Sequence, residues 1–397
     1  MRLTIETIPM TNFSKAHGFA RADVHLGNWR QRPYNTWSFS HVNELVPVAR
    51  IAAQNPQRQA FDPIGHDLLD QSITLDQGAE TVASFLARSQ TDALLVQRHG
   101  KTIASWHAPT YDPVLPHIVF SVTKSVTGLL CAIAQDMGLL DPARPVGDYL
   151  PETRNGAYVD CPVQHVLDMR VSLNFDEDYL DAKGNYARYR RAMLWNPPDP
   201  AQQPEGLAPL LTGLQKGIEP HGGAFAYQSP SSDILGLLLE RVTGETYASF
   251  AARHLWQKMG ACDDAFITVD AFGTPRGAGG LLCTVQELAR IGRLMVEPDN
   301  ILPERWLADT WAGGDHQAWD SGDLHDFIPG GSYRNQWYRV PGPADALAAI
   351  GIHGQFLYLH RGSGTVIVKL ASQHLPQDDG LDAANMMFLA ALVDVIR

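Results

Sequence analysis

Between Ser125 and Leu139 the apolar residues Val126, Leu129, Leu130, Ile133 and Met137 recur every three or four positions, with Gly138 near the end, which predicts an amphipathic helix. The same spacing returns in Ile234, Leu237, Leu238 and Val242, closed by Gly244, and predicts a helix over Ser232–Thr243. Further helices are expected at Val163–Met169, Ala208–Lys216, Thr246–Met259, Thr284–Met295 and about Asp382–Ile396. Shorter apolar runs read differently. Ala93–Gln97 and Thr102–Trp106 flank Arg98-His99-Gly100-Lys101 as a β-hairpin, and Gln355–His360 and Thr365–Ser372 flank Arg361-Gly362-Ser363-Gly364 in the same way.

Strands lie near both ends of the chain and helices between them. That order predicts an α/β chain of the α+β type, in which terminal segments complete one antiparallel sheet flanked by helices. The expected division is a sheet-bearing domain of residues 1–125 and 265–397 and a mainly helical domain of residues 126–264, with a site at their interface. Proline-punctuated segments at 141–146 and 197–206 read as loops, the second of a kind that often overhangs a site.

With 397 residues, 45% hydrophobic and 19% charged, the chain reads as an ordinary globular protein with a large core. Its net charge of -12 and lack of a basic block argue against nucleic acid as a partner. No apolar stretch is long enough to span a bilayer, and Met1–Phe13 lacks a secretory h-region, so no membrane association and a cytoplasmic location are expected. Cys131, Cys161, Cys262 and Cys283 are widely spaced and read as free thiols. Fifteen histidines fall in no compact ligand spacing, and there is no phosphate loop, so neither metal nor cofactor is expected.

Ser121-Val122-Thr123-Lys124 follows the apolar Ile118-Val119-Phe120 at the start of the first helix. A serine and a lysine three apart stack on one helix face, which puts an amine beside a hydroxyl. Free backbone N–H groups at the helix start favour a developing oxyanion. The alternative is that Ser121 only caps the helix and Lys124 is solvated. Without a Gly-x-Ser-x-Gly elbow elsewhere, Ser121 is the best nucleophile candidate.

A base must hold the proton that Ser121 loses. Tyr227-Gln228-Ser229, before a predicted helix, supplies a phenol for that network, although a packed tyrosine is the blander reading. Gly351-Ile352-His353-Gly354-Gln355, before a strand, could place a backbone N–H opposite Ser121, or be a plain turn.

These motifs resemble the serine β-lactamase and penicillin-recognising superfamily, and within it the 6-aminohexanoate-dimer (nylon-oligomer) hydrolases and related carboxylesterases. The resemblance is carried by Asn35–His41, Phe120–Ser125, Val166–Met169, Asp176–Tyr179, Phe225–Ser229, Glu240–Gly244, Gly351–Gln355 and Val366–Leu370. It implies a β-lactamase/transpeptidase-like fold and a Ser121 nucleophile whose proton passes to Lys124 and Tyr227. It also implies an oxyanion hole from the amides of Ser121 and Ile352, a Tyr179 that closes over the substrate, and supporting roles for Ser229, His353 and Gly354. Two departures bear on substrate. Ile352-His353-Gly354 replaces the Lys or His followed by Thr-Gly or Gly-Gly of β-lactamases and peptidoglycan carboxypeptidases. Where nylon-oligomer hydrolases carry an acid after the loop tyrosine, Tyr186-Ala187-Arg188-Tyr189-Arg190-Arg191 is basic, which suits a carboxylate or neutral substrate unless these arginines form a solvated helix face.

The expected activity is hydrolysis of ester or amide bonds in small molecules through an acyl-enzyme, with a homodimer left open. A β-lactamase or D-alanyl-D-alanine carboxypeptidase-like enzyme, and a catalytically silent binding protein of the same fold, are the alternatives.

Overall fold

In a computed structural model, residues 11–57, 61, 63–76, 78–179, 181, 183–201, 203–297, 299–342 and 346–396 are described. Seven strands form the main sheet: β1 (Thr91–Arg98), β2 (Lys101–His107), β3 (Ser332–Arg334), β4 (Trp337–Val340), β5 (Ala346–Gly351), β6 (Gln355–His360) and β7 (Thr365–Ala371). Their order is β2-β1-β7-β6-β5-β4-β3, and every neighbouring pair is antiparallel. The predicted joining of the two ends of the chain is the β1–β7 ladder, in which Leu95 pairs with Val368. At the β1–β2 turn, His99 and Gly100 both have positive φ, 46° and 69°, the geometry whose twist matches that of the flanking strands.

Side chains along β1 alternate between two cores. Ala93 and Leu95 face one with Leu357, Val366 and Val368, while Leu94 and Val96 face the other with Phe356 and Ile367. The first face is covered by α4 (Val285–Val296) through Leu288, Ile291 and Leu294. That helix approaches closest at Gly292, where a Cβ would sit 2.6 Å from Val366 Cγ1 and 2.9 Å from Leu357 Cδ1. The second face is covered by α5 (Asp379–Val395) and the short helix Val82–Arg88, joined by stacked Phe85 and Phe388 rings 4.1 Å apart. Strand β7 is buried throughout, which is why it reads as an apolar run rather than an alternating one.

Helices dominate the centre of the chain as expected. They include α1 (Val122–Asp136), α2 (Asn185–Ala192) and α3 (Ser229–Thr243), the last ending at Gly244 in the left-handed conformation. The first hydrophobic core runs continuously from the sheet into these helices, through Leu129, Ile234 and Leu357. The expected single helix at 246–259 is an α-helical turn, Tyr247–Ala251, followed by a π-helical one, Ala252–Trp256.

A second sheet, made of Val48–Ile51, Ala265–Thr268, Leu281–Cys283 and His117–Ile118, is absent from the sequence-based expectation. Its strands are two to four residues long, too short for a periodicity to register. Among the described residues the cysteines are free, no helix is long and apolar enough to cross a membrane, and no group of acid, histidine and cysteine side chains could hold a metal ion.

Candidate active site

The short strand His117–Ile118 leads into the site, anchored by the Val119 amide on the Leu281 carbonyl at 2.9 Å. Phe120 then turns the chain with φ of 44°, a left-handed conformation costing a phenylalanine on the order of 1–3 kcal/mol. Its buried ring is held by Trp29, Phe39, Trp195 and His353, with centroids 5.0 to 6.3 Å away. That turn delivers Ser121 to the start of α1. The Ser121 side chain makes no capping bond, so the bland reading of this residue as a helix cap does not describe it.

One turn along, Lys124 points back. Its Nζ donates to Ser121 Oγ at 2.9 Å, to Ser229 Oγ at 3.0 Å and to the Ala278 carbonyl at 2.8 Å. The side chain is buried, and burial is the main reason its pKa is lowered to about 7. Glu177 works in the opposite direction, Arg276 adds to the lowering, and Asp233 opposes it. The Ala278 carbonyl is itself placed by a buried frame, in which Asp233 accepts from the Ala278 amide at 2.7 Å and pairs with Arg276.

Tyr227 arrives from the segment before α3. Its amide donates to Asp323 Oδ2 at 2.8 Å and the preceding Ala226 amide to the Met169 carbonyl at 2.8 Å, so the backbone is held on both sides. The Lys124 Nζ stands 4.9 Å from the centroid of the Tyr227 ring. The phenol interacts with the Ser121 hydroxyl, which favours its ionised form, but burial followed by the Glu177 charge drives its pKa well above the ordinary tyrosine value. The three groups singled out in the sequence, Ser121, Lys124 and Tyr227, therefore converge.

Glu177 was missed. It accepts from Ser229 Oγ at 2.6 Å, from the Ser229 amide, and from the Tyr179 hydroxyl at 2.8 Å. Lying at the amino end of α3, it also meets the positive end of that helix. Only its place two residues before Tyr179 in an acidic run hinted at it. The Ala278 carbonyl left no signal at all, because any residue type supplies one.

Gly351 ends β5 against the serine turn, where a Cβ would lie 2.6 Å from the Val119 carbonyl oxygen and 3.2 Å from the Ser121 amide nitrogen. The backbones of Ser121 and Ile352 thus border one cavity of about 390 Å³, lined also by Tyr179, Tyr227 and Tyr338. Asp323, Asp326, Asp379 and Asp382 line it as well. His353 and Gly354 are not among the lining residues. His353 is buried, its Nδ1 bonds the Gln373 carbonyl at 2.8 Å, and burial lowers its pKa to about 3, so it is a neutral brace. Gly354 has a positive φ of 84° with the Gln373 side chain pressed against it. The proline-rich loop 197–206 contributes no described residue to the cavity lining.

Comparison with known proteins gives a consistent picture. A family model described as beta-lactamase matches residues 79–391. The 6-aminohexanoate-dimer hydrolase of Paenarthrobacter ureafaciens is 32% identical over 391 residues, covering 96% of each chain. A Bacillus anthracis structure with the provisional name 6-aminohexanoate-dimer hydrolase superposes with a TM-score of 0.84 at 22% identity, covering 95% of this chain and 97% of its own. EstCE1, a hydrolase with promiscuous acyltransferase activity, superposes with a TM-score of 0.59 at 16% identity, covering 77% and 97%. At these identities the two structures speak to the fold.

Proposed function

As a member of the beta-lactamase family, to which this chain belongs, the protein is a serine hydrolase of ester or amide bonds in small molecules, and we propose that it works through Ser121, Lys124 and Tyr227. The observation that carries this reading is the 2.9 Å contact between Lys124 Nζ and Ser121 Oγ, made by an amine whose pKa lies near 7. An amine so depressed is substantially neutral at physiological pH and can accept a proton. The phenol of Tyr227, with its raised pKa, stays protonated and serves as the donor in the relay rather than as the resting base.

Ser121 Oγ bonds to the substrate carbonyl carbon while its proton passes to Lys124 Nζ. The carbonyl oxygen becomes an oxyanion held by the amides of Ser121 and Ile352. Collapse of this intermediate breaks the bond to the leaving alcohol or amine. That group takes a proton from Tyr227, which is resupplied from Lys124. Water then adds to the acyl group, losing a proton to the same network, and Ser121 departs with its hydroxyl restored. Glu177 orients Ser229 and Tyr179 and keeps the Lys124 pKa from falling further.

The similarity to the Paenarthrobacter enzyme supports a linear amide or ester as substrate, with carboxylesterase activity the more general expectation. Ser121→Ala should abolish hydrolysis of short-chain p-nitrophenyl esters and labelling by a fluorophosphonate. Normal turnover by that variant would refute the assignment.

A further inference from the structure

The charged side chains that line the cavity beside Ser121 are, among the described residues, all acids: Asp323, Asp326, Asp379 and Asp382. They come from two segments far apart in the chain. Asp379 and Asp382 lie in the first turn of α5, where a helix start favours acids, but Asp323 and Asp326 belong to no helix. Both segments are pinned to the backbone of the site. Asp323 accepts from the Tyr227 amide at 2.8 Å, and the Pro376 carbonyl, just ahead of α5, accepts from the His353 amide at 2.9 Å. Asp326 faces His325 at 3.2 Å, whereas among the described residues no cationic side chain lies within 4.0 Å of Asp323, Asp379 or Asp382. Burial raises the Asp382 pKa to about 6, with the charges of Asp378 and Asp379 adding to the rise and that of Lys369 opposing it. None of residues 186–191, whose arginines suit a carboxylate or neutral substrate, lines the cavity: Arg188 pairs with Glu205, and Arg190 donates to the Tyr179 carbonyl at 2.9 Å.

Four like charges around one cavity repel one another, and a cleft concentrates their potential, so an entering cation is favoured. Tyr179, Tyr227, Tyr338 and Phe327 line the same space, and aromatic faces attract organic ammonium groups. The described acids form no group able to hold a metal ion, which leaves an organic cation as the fitting partner. Because the nucleophile borders the same cavity, that cation is part of a substrate. Tyr227 gives its proton to the departing group, and Asp323 is tied to the Tyr227 backbone, so the positive charge belongs on the leaving side. We propose that the cavity selects esters and amides whose leaving alcohol or amine carries an ammonium group, its charge balanced by the aspartates. Hydrolysis adds water across the acyl bond and releases a carboxylic acid and the ammonium-bearing alcohol or amine. This inference rests on the proposed roles of Ser121 and Tyr227 for its direction, though not for the existence of the cation subsite.

The test uses two pairs of esters that differ chiefly in charge, followed by proton release. Butyrylcholine and 3,3-dimethylbutyl butyrate share acyl group and shape, the first carrying a cation on its alcohol. Ethyl 6-aminohexanoate and ethyl hexanoate place the cation on the acyl chain instead. The wild-type protein should favour butyrylcholine over its isostere by about tenfold in kcat/KM, show no such preference in the acyl pair, and lose the preference as salt is added. In Asp323→Asn, which still offers an oxygen to the Tyr227 amide, and in Asp382→Asn, the ratio should move toward one, furthest in the double variant. Calorimetric titration of Ser121→Ala with butyrylcholine should show binding that the same two substitutions weaken. Equal turnover of butyrylcholine and its isostere, a preference confined to the acyl pair, or a preference that survives both substitutions overturns the subsite while leaving the nucleophile in place. Binding of butyrylcholine to Ser121→Ala, with no turnover of any ester by the wild-type protein, overturns the nucleophile and leaves the subsite standing. Neither binding nor turnover overturns both.

Discussion

The carboxylate of Glu177 meets the hydroxyl of Ser229 at 2.6 Å, and through it reaches the amine that Ser121 depends on. Its negative charge raises the Lys124 pKa against the effect of burial. Glu177→Gln keeps the shape and removes the charge, so the Lys124 pKa should drop and the rising limb of kcat/KM should move to lower pH. An unmoved limb would show that Glu177 does not act on the base.

Lys124 must be neutral to accept the Ser121 proton. Since its pKa is lowered to about 7, kcat/KM for a neutral ester should increase as pH rises through that value. The same shift destabilises the fold in acid. Between the unfolded value near 10.5 and about 7 the unfolded chain binds the extra proton, so stability falls as pH drops through that window and levels off below it. Lys124→Met should lose about 10²–10⁴-fold in activity and flatten this part of the stability curve, read by thermal melts between pH 6 and 10.

Tyr227→Phe removes the proton donor for the leaving group. An alkoxide or phenolate departs more easily than an amide anion, so the acylation rate should fall about 10²-fold or more for amides and by less for matched aryl esters. Single-turnover rates for the two substrate types check this, and equal losses would take Tyr227 out of leaving-group protonation.

Gly351 is required by space rather than by φ. A methyl there would meet the Val119 oxygen at 2.6 Å and the Ser121 nitrogen at 3.2 Å, so the β5 end and the serine turn must separate. Gly351→Ala should lower kcat by about 10–10³-fold through a widened oxyanion hole, with circular dichroism unchanged. Wild-type kcat would mean that the Ile352 amide is not one of the donors.

Lys369 is a buried amine outside the relay. It lies on β7 with no hydrogen-bond partner for Nζ among the described residues, and burial lowers its pKa to about 7, against the pull of Asp92 and Asp382. Lys369→Met keeps most of the volume and removes the unmet polar group, and should stabilise the protein by about 1–3 kcal/mol at pH 6. A lower melting temperature for the variant would assign the amine a structural partner.

The helices were legible from the chain because a period of 3.6 in their apolar positions is a local record, and the hairpins β1–β2 and β6–β7 because short apolar runs flank their turn residues. Ser121 and Lys124 were legible for the same reason: three residues on one helix fix their separation. The short strands of the second sheet were not, since two to four residues carry no period. Tyr227, Gly351 and Ile352 could be nominated from sequence, but only packing decides that α3 and β5 arrive beside α1. The depressed amine of Lys124 and the role of Glu177 belong wholly to tertiary structure, because a pKa answers to burial and to charges brought from far along the chain. The same holds for the arginines of α2, where about half a helical turn separates the exposed Arg188, paired with Glu205, from the part-buried Arg190, which donates to the Tyr179 carbonyl, and no composition distinguishes them.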